Sequence, residues 1–201
     1  MDGRPVPRIE TERTVVRRWR PTDVEAFHAA IVASTEHLRP WMPWIAVEPA
    51  SLEDRLGLFG LWDQAWDAGE DFPLGVFAPD DTTVVGGTGW HRRVGPDALE
   101  IGYWIAVDHL GRGLATEITR ALTSAAFALD GIASVVIRHD RANGASASVP
   151  HKLGYTKERE ELDEIAAPGE EGVTCWWRVT RDAWAAQGAS STRPNASRFS
   201  M

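Results

Sequence analysis

The segment Glu100–Thr116, EIGYWIAVDHLGRGLAT, constrains the fold of this chain more than any other. Ile101–Val107 is a short run of apolar, aromatic and β-branched residues, as a buried strand requires. Gly111, Arg112 and Gly113 follow, and Leu114, Ile118, Leu122, Ala125 and Leu129 then recur at the spacing of one helix face. A strand that turns through glycines into a helix presents the free N–H groups of the first helical turn to whatever sits above them. The missing side chains let that ligand come close, so the arrangement suits a diphosphate. A tight turn before a packed helix has the same letters, and the GRG alone does not separate the two readings. The pattern lacks the GxGxxG of a dinucleotide site and the Gly-Lys-Ser/Thr of a P-loop.

A second segment narrows the choice. After a strand expected at Ile132–Ile137 the chain reads HDRANGASASVPHKLGY, His139–Tyr155. Together the two segments resemble the GNAT family of N-acetyltransferases. That family's phosphate loop has the form Q/R-x-x-G-x-G/A, matched here by Gly113 and Ala115. Its next strand ends in an Asn, followed by a short helix and Gly-Phe or Gly-Tyr. Asn143, Ser146, Lys152, Leu153, Gly154 and Tyr155 match that run. The opening IETERTVVRRWRPTDVEAF, the segment HLRPWMPW (His37–Trp44) and EIGYWI are similar to the RimJ/RimL branch, the ribosomal-protein N-terminal acetyltransferases. The resemblance covers about residues 8 to 180.

The resemblance implies a mixed α/β fold, with a central, twisted, mostly antiparallel sheet flanked by helices on both faces. It implies direct transfer of an acetyl group from acetyl-CoA to a primary amine, either a protein N-terminal α-amine or a small molecule, in a ternary complex. The cofactor would lie on Ile105, Val107, Leu110, Gly111, Arg112, Gly113, Leu114, Ala115, Thr116, Asn143 and Ser146. Two positions depart from the family. Leu110 stands where Gln or Arg is usual, and Pro150 stands where many relatives place a Tyr as general acid. Proline has no proton to give, so by resemblance Ser146 inherits that task. The same fold acting on an antibiotic or polyamine amine, or using succinyl-CoA, is an open alternative. A catalytically silent acyl-CoA-binding module is another.

Acyl transfer from a thioester to an amine makes three demands. The amine must lose a proton, which an α-amine near 7.7–8.0 does more readily than a lysine near 10.4. The developing oxyanion needs donors, which the resemblance assigns to backbone N–H groups on the Ile101–Val107 strand. The thiolate gains from a hydrogen bond, which Ser146 can donate. Asn143 is expected to bind the pantetheine arm or to order its loop, and Ser146 also suits a cap of the short helix. Glu100 is the candidate base, directly or through water, although a glutamate opening a strand is often only structural. Trp41, Trp44, Tyr103 and Trp177 are the expected acceptor-side residues, since aromatic faces hold apolar groups or cations. Trp176 and Trp177 must point to opposite faces of their strand.

Composition sets the outer limits. The chain has 201 residues and 43% hydrophobic content, enough for one domain with a real core. The net charge of −8 argues against a basic nucleic-acid-binding face. The region Glu158–Glu171 holds seven carboxylates and one Arg; it reads as a solvated loop between two strands, with attraction of a cationic acceptor as the alternative. No stretch of 18 apolar residues reads as a membrane span, and the first residues lack a signal-like apolar region. The single Cys175 fits a reducing, cytoplasmic setting and reads as a buried structural thiol. The six histidines show no zinc-type spacing, so no metal is expected, while His139 and His151 lie near the cofactor segment. A homodimer is possible by resemblance.

Along the chain, residues 1–7 read as a loose leader, 8–187 as one domain and 188–201 as a disordered, Ser-rich tail. Thr14–Arg20 reads as a strand, with Thr22 or Asp23 capping a helix after it. Glu36–Glu48 is too irregular for a long helix. Ser51 opens a second helix to about Ala68. Phe72–Phe77 and Val84–Trp90 read as strands joined at Pro79-Asp80-Asp81, and the last strands fall at Tyr155–Glu160 and Thr174–Val179.

Overall fold

A computed structural model describes residues 4–191 of the chain, with side chains through Gly188. Eight strands form one sheet: β1 (Arg8–Glu10), β2 (Val15–Arg17), β3 (Asp71–Phe77), β4 (Val84–His91), β5 (Ala98–Ile105), β6 (Ser134–Asp140), β7 (Thr156–Leu162) and β8 (Val173–Thr180). Their order is β1-β2-β3-β4-β5-β6-β8-β7, and only β5 and β6 run parallel. Five helices cover it: α1 (Val24–Leu38), α2 (Leu52–Ala68), α3 (Leu114–Phe127), α4 (Gly144–Lys152) and α5 (Arg181–Ser191).

Strand alternation divides the core in two. Ile101 and Ile105 turn toward α3, whose Leu114, Ile118 and Leu122 are buried as expected; Ala126 completes the buried stripe, while Ala125 and Leu129 are only partly buried against it. Complete burial of Ile118 and Leu122 is worth about 1.5–3 kcal/mol for each side chain. On the opposite face Trp104 joins Trp19, Phe27, Phe59 and Phe77 beneath α1 and α2. Trp19 lies 4.9 Å from Phe27 and 5.3 Å from Phe59 between ring centroids.

The helix start at Ser51 is a full capping box: the Asp54 N–H donates to Ser51 Oγ (3.1 Å), and the Ser51 N–H donates to the Asp54 carboxylate (2.9 Å). The helix stops at Gly69, whose φ of 74° is left-handed. Asp23 does not cap α1 with its side chain. Its carboxylate instead accepts from the Arg20 N–H and from both terminal nitrogens of buried Arg17. Arg17 also reaches Asp81 at 2.6 Å, so a buried guanidinium is satisfied by two carboxylates.

Several boundaries differ from expectation. The β2 strand is only three residues, because the turn at Pro21–Asp23 draws the chain away from the sheet. The β5 strand ends at Ile105, and Val107–His109 is a 3-10 turn. Glu36 to Leu38 close α1, and a 3-10 turn occupies Pro43–Val47. In the leader, Pro5 is buried and Arg4 donates to the Asp67 carbonyl. Residues Gly188 to Ser191 of the expected tail belong to α5, and 192–201 lie outside the described residues.

Candidate active site

Register builds the site. The parallel pairing of β5 with β6 runs only from Ala98–Ser134 to Glu100–Val136. Beyond it the two strands part. Successive residues of a strand aim their backbone groups at opposite neighbours. The Ala106 N–H donates to Val85 on the β4 side, so Tyr103 and Ile105 direct theirs into the gap. The gap thus offers a strand-like edge of the kind an extended pantetheine arm can pair with, and Ile105 stands on that edge. Val107 lies beyond it. Its N–H donates to the buried Ser34 Oγ at 3.0 Å, and its carbonyl accepts from the Leu110 N–H.

At the far end of the gap stands the glycine turn that leads into α3. Gly111 and Gly113 both have left-handed φ, 71° and 75°. A Cβ at Gly111 would meet nothing within 4 Å, so the loop faces open space. Gly113 is the N-cap of α3 and has no side chain to satisfy the first-turn N–H groups. Leu114, Ala115 and Thr116 therefore present theirs outward, with the helix dipole behind them. This chemistry fits a pyrophosphate. Leu110 adds only an exposed apolar side chain. Arg112 folds back to the Asp108 carbonyl at 2.7 Å. Arg13, in a stretch with no motif of its own, donates to the Arg112 carbonyl and the Glu117 carboxylate beside the loop.

On the α4 side, Asn143 Oδ1 accepts the Ser146 N–H at 3.0 Å, so Asn143 orders the helix start. Ser146 Oγ lies 3.1 Å from the Tyr103 hydroxyl, which also donates to the Ser146 carbonyl. Burial pushes the Tyr103 phenol up to about 12, so it stays protonated. Tyr103 thus supports Ser146 from β5, beside the helix where Pro150 replaces the family tyrosine. Trp177 is on this same face: its Nε1–H donates to His139 Nε2 at 2.9 Å, and it does not line the acceptor cleft. The neighbouring Trp176 takes the other face, stacked between Arg138 and Arg159. His139 donates from Nδ1 to the Asp140 carbonyl, so both its nitrogens are engaged, and burial holds its pKa below the ordinary value. His151 sits edge-on to Trp177.

The acceptor face is a cleft of about 1440 Å³ that runs through the gap to Ser146. Trp41 and Trp44 line it as expected, and Trp44 meets Trp104 at 6.2 Å between centroids. Trp104 itself packs over Gly87, where a Cβ would collide with the indole. Glu100 lies on the floor, 4% exposed. Arg93 donates to both its oxygens (2.8 and 2.7 Å), and Arg138 donates to Oε2 at 3.0 Å. Burial alone would raise the Glu100 carboxyl, but the hydrogen bonds and charge of the two guanidiniums outweigh it and hold it below the usual carboxylate range. A carboxylate so clamped is a weak proton acceptor. Glu53 and Asp54 from α2, with Asp163, Glu164 and Glu170 from the β7–β8 connection, give the mouth a negative rim.

The fold and site define an acyl-CoA-dependent N-acetyltransferase. The acetyltransferase (GNAT) domain model matches residues 13–156, and the chain belongs to that family. A Bacillus subtilis protein named provisionally as the ribosomal N-acetyltransferase YdaF is 25% identical over 176 residues, 86% of this chain and 94% of that protein. The ribosomal protein uS5-alanine N-acetyltransferase of Escherichia coli is 25% identical over 172 residues, 83% of this chain and 87% of its own length. In structure the chain is similar to RimL, the ribosomal L7/L12 α-N-protein acetyltransferase solved with coenzyme A. That match has a TM-score of 0.78 and 19% identity, and covers 88% of this chain and 99% of RimL.

Proposed function

We propose that the acceptor is the α-amine of a protein N-terminus. The observation that carries this reading is the shape of the acceptor cleft. At about 1440 Å³ it exceeds the roughly 300–1,000 Å³ of an ordinary small-molecule pocket, even though part of it serves the donor. Aromatic walls at Trp41, Trp44 and Trp104 suit a peptide's first side chain, and the acidic rim suits basic residues that follow it. The named targets of the Escherichia coli relative and of RimL, protein α-amines, support the same choice. We place this work in the cytoplasm. The lone Cys175 is buried, and among the described residues no helix is long and apolar enough to cross a membrane.

In this reading the Tyr103 and Ile105 backbone holds the pantetheine arm, and the α3 turn holds the pyrophosphate. The amine nitrogen attacks the thioester carbon from the acceptor face. The C–N bond forms, the C–S bond breaks, and Ser146 hydrogen-bonds the leaving thiolate, which takes its proton from water. Much of the rate comes from holding both partners on opposite sides of one gap.

The test is thiol release from acetyl-CoA and from succinyl-CoA, against N-terminal peptides, polyamines and aminoglycosides, with mass spectrometry of the products. Acetylation of peptide α-amines is the expected outcome. Transfer confined to small amines would overturn the reading.

A further inference from the structure

We propose that His91, oriented by Asp71, is the general base that takes the proton of the attacking amine. The inference rests on the acetyltransferase reading but not on the choice of acceptor.

Three strands bring the pair together. Register places Asp71 of β3 opposite His91 of β4, and His91 opposite Glu100 of β5. Directly opposed residues share a face, so Asp71, His91 and Glu100 stand in a row across the acceptor cleft, which all three line. His91 Nδ1 is 2.5 Å from Asp71 Oδ1. The carboxylate can only accept, so Nδ1 carries the hydrogen and Nε2 keeps its lone pair. Among the described residues no hydrogen-bond partner is recorded for Nε2. It lies over Gly102, 3.1 Å from where a Cβ would be. Gly102 is two residues past Glu100, where β5 leaves β6, so Nε2 sits at the opening of the gap through which acetyl carbon and amine must meet.

The other buried or half-buried groups of the cleft are committed elsewhere. Glu100 is clamped by Arg93 and Arg138. Glu48 is paired with Arg55 at 2.7 Å. His139 uses both nitrogens. Asp140 accepts the N–H groups of Ala142, Glu171, Gly172 and Val173 around its loop. His91 alone among them combines a free lone pair with an orienting carboxylate. The charged groups facing it are Asp71 on β3, Glu100 on β5, and Arg93 and Arg138 paired to Glu100; Asp71 is the carboxylate in contact with the ring. During transfer the nitrogen's proton passes to Nε2 as the C–N bond forms, and the imidazolium returns it to water after release.

The experiment uses the full chain and whichever amine of the preceding panel turns over, so failure of the peptide reading leaves the dyad testable. Rates are measured for wild type, His91→Gln, His91→Ala, Asp71→Asn and Asp71→Glu, with CoA affinity by calorimetry. His91→Gln should fall by about 100-fold, the low end for general bases because an α-amine needs modest help, while keeping CoA affinity. Added imidazole should restore part of the His91→Ala rate and leave the wild-type rate unchanged. Asp71 is a positioning residue, so Asp71→Glu should keep more activity than Asp71→Asn. Full turnover of His91→Gln would overturn the proposal. So would a His91→Ala defect that imidazole does not touch.

Discussion

Replacing Glu100 with glutamine removes one charge from between two guanidiniums while keeping the side chain's shape. Breaking a fully buried ion pair costs about 3–5 kcal/mol. Here the Arg93 and Arg138 side chains are 57% and 27% exposed, so water takes up part of their loss. The glutamine also keeps one acceptor oxygen. A cost of about 1–3 kcal/mol follows, and in a domain of this size each kcal/mol lowers Tm by about 2–4 °C. The expected drop is therefore about 2–12 °C by calorimetry at neutral pH. The pH dependence has a definite sign. The folded carboxyl is held below its unfolded value of about 4.3. Its stabilisation is therefore complete above that value and is lost as pH falls through the folded pKa. The gap in Tm between wild type and Glu100→Gln should be widest at neutral pH and close in acid. Turnover should fall only a few-fold, because the clamp shapes the floor without carrying protons. A loss beyond 100-fold with little change in Tm would make Glu100 the base and refute the reasoning, as would a Tm gap that is flat with pH.

Ser146→Ala removes a hydrogen bond to a charged leaving group, worth about 1.5–3 kcal/mol. With the Tyr103 hydroxyl still beside the site, turnover should fall by about 10-fold, and calorimetry should show unchanged CoA affinity. Gly113→Glu sets bulk, charge and a strained left-handed backbone in the cradle, so CoA binding should vanish from the calorimetric trace. Asp23→Ala strips a carboxylate from Arg17, which is 3% exposed. The cost is about 3–5 kcal/mol, read as a melting point lower by roughly 6–20 °C with little change in CoA affinity at the folded temperature.

What the sequence revealed tracks how local each determinant is. The α3 stripe, the Ser51 cap and the glycine cradle are written in adjacent residues, and all three stand where periodicity and turn chemistry put them. The β1 strand, three residues with little burial, carries no periodic signal of its own. The α5 helix has a Ser- and Gly-containing sequence that resembles a tail, and its entry is fixed by Arg181, which donates to the carbonyls of Phe127, Leu129 and Ile132. Alternation shows that Trp176 and Trp177 diverge but not that both stay out of the lining of the acceptor cleft; their packing across the sheet decides that. The Val107 N–H is held by Ser34, 73 residues away. Asp71, His91, Arg93 and Arg138 sit in unremarkable local sequence, and only the pairing of β3 with β4, β4 with β5 and β5 with β6 makes them a cluster.

The parting of β5 from β6 separates two kinds of material. The donor's half is made largely of main chain: edge amides at Tyr103 and Ile105 and the first turn of α3. Main-chain groups persist through substitution so long as the fold does. The acceptor's half is walled by side chains from the Pro43–Val47 turn, the start of α2 and the β7–β8 connection, two neighbouring stretches and one remote from them in sequence. Such a protein can exchange its clientele one wall at a time without disturbing the machinery that activates the thioester. For the protein engineer, those three stretches form a natural library, with the glycine cradle left as fixed infrastructure.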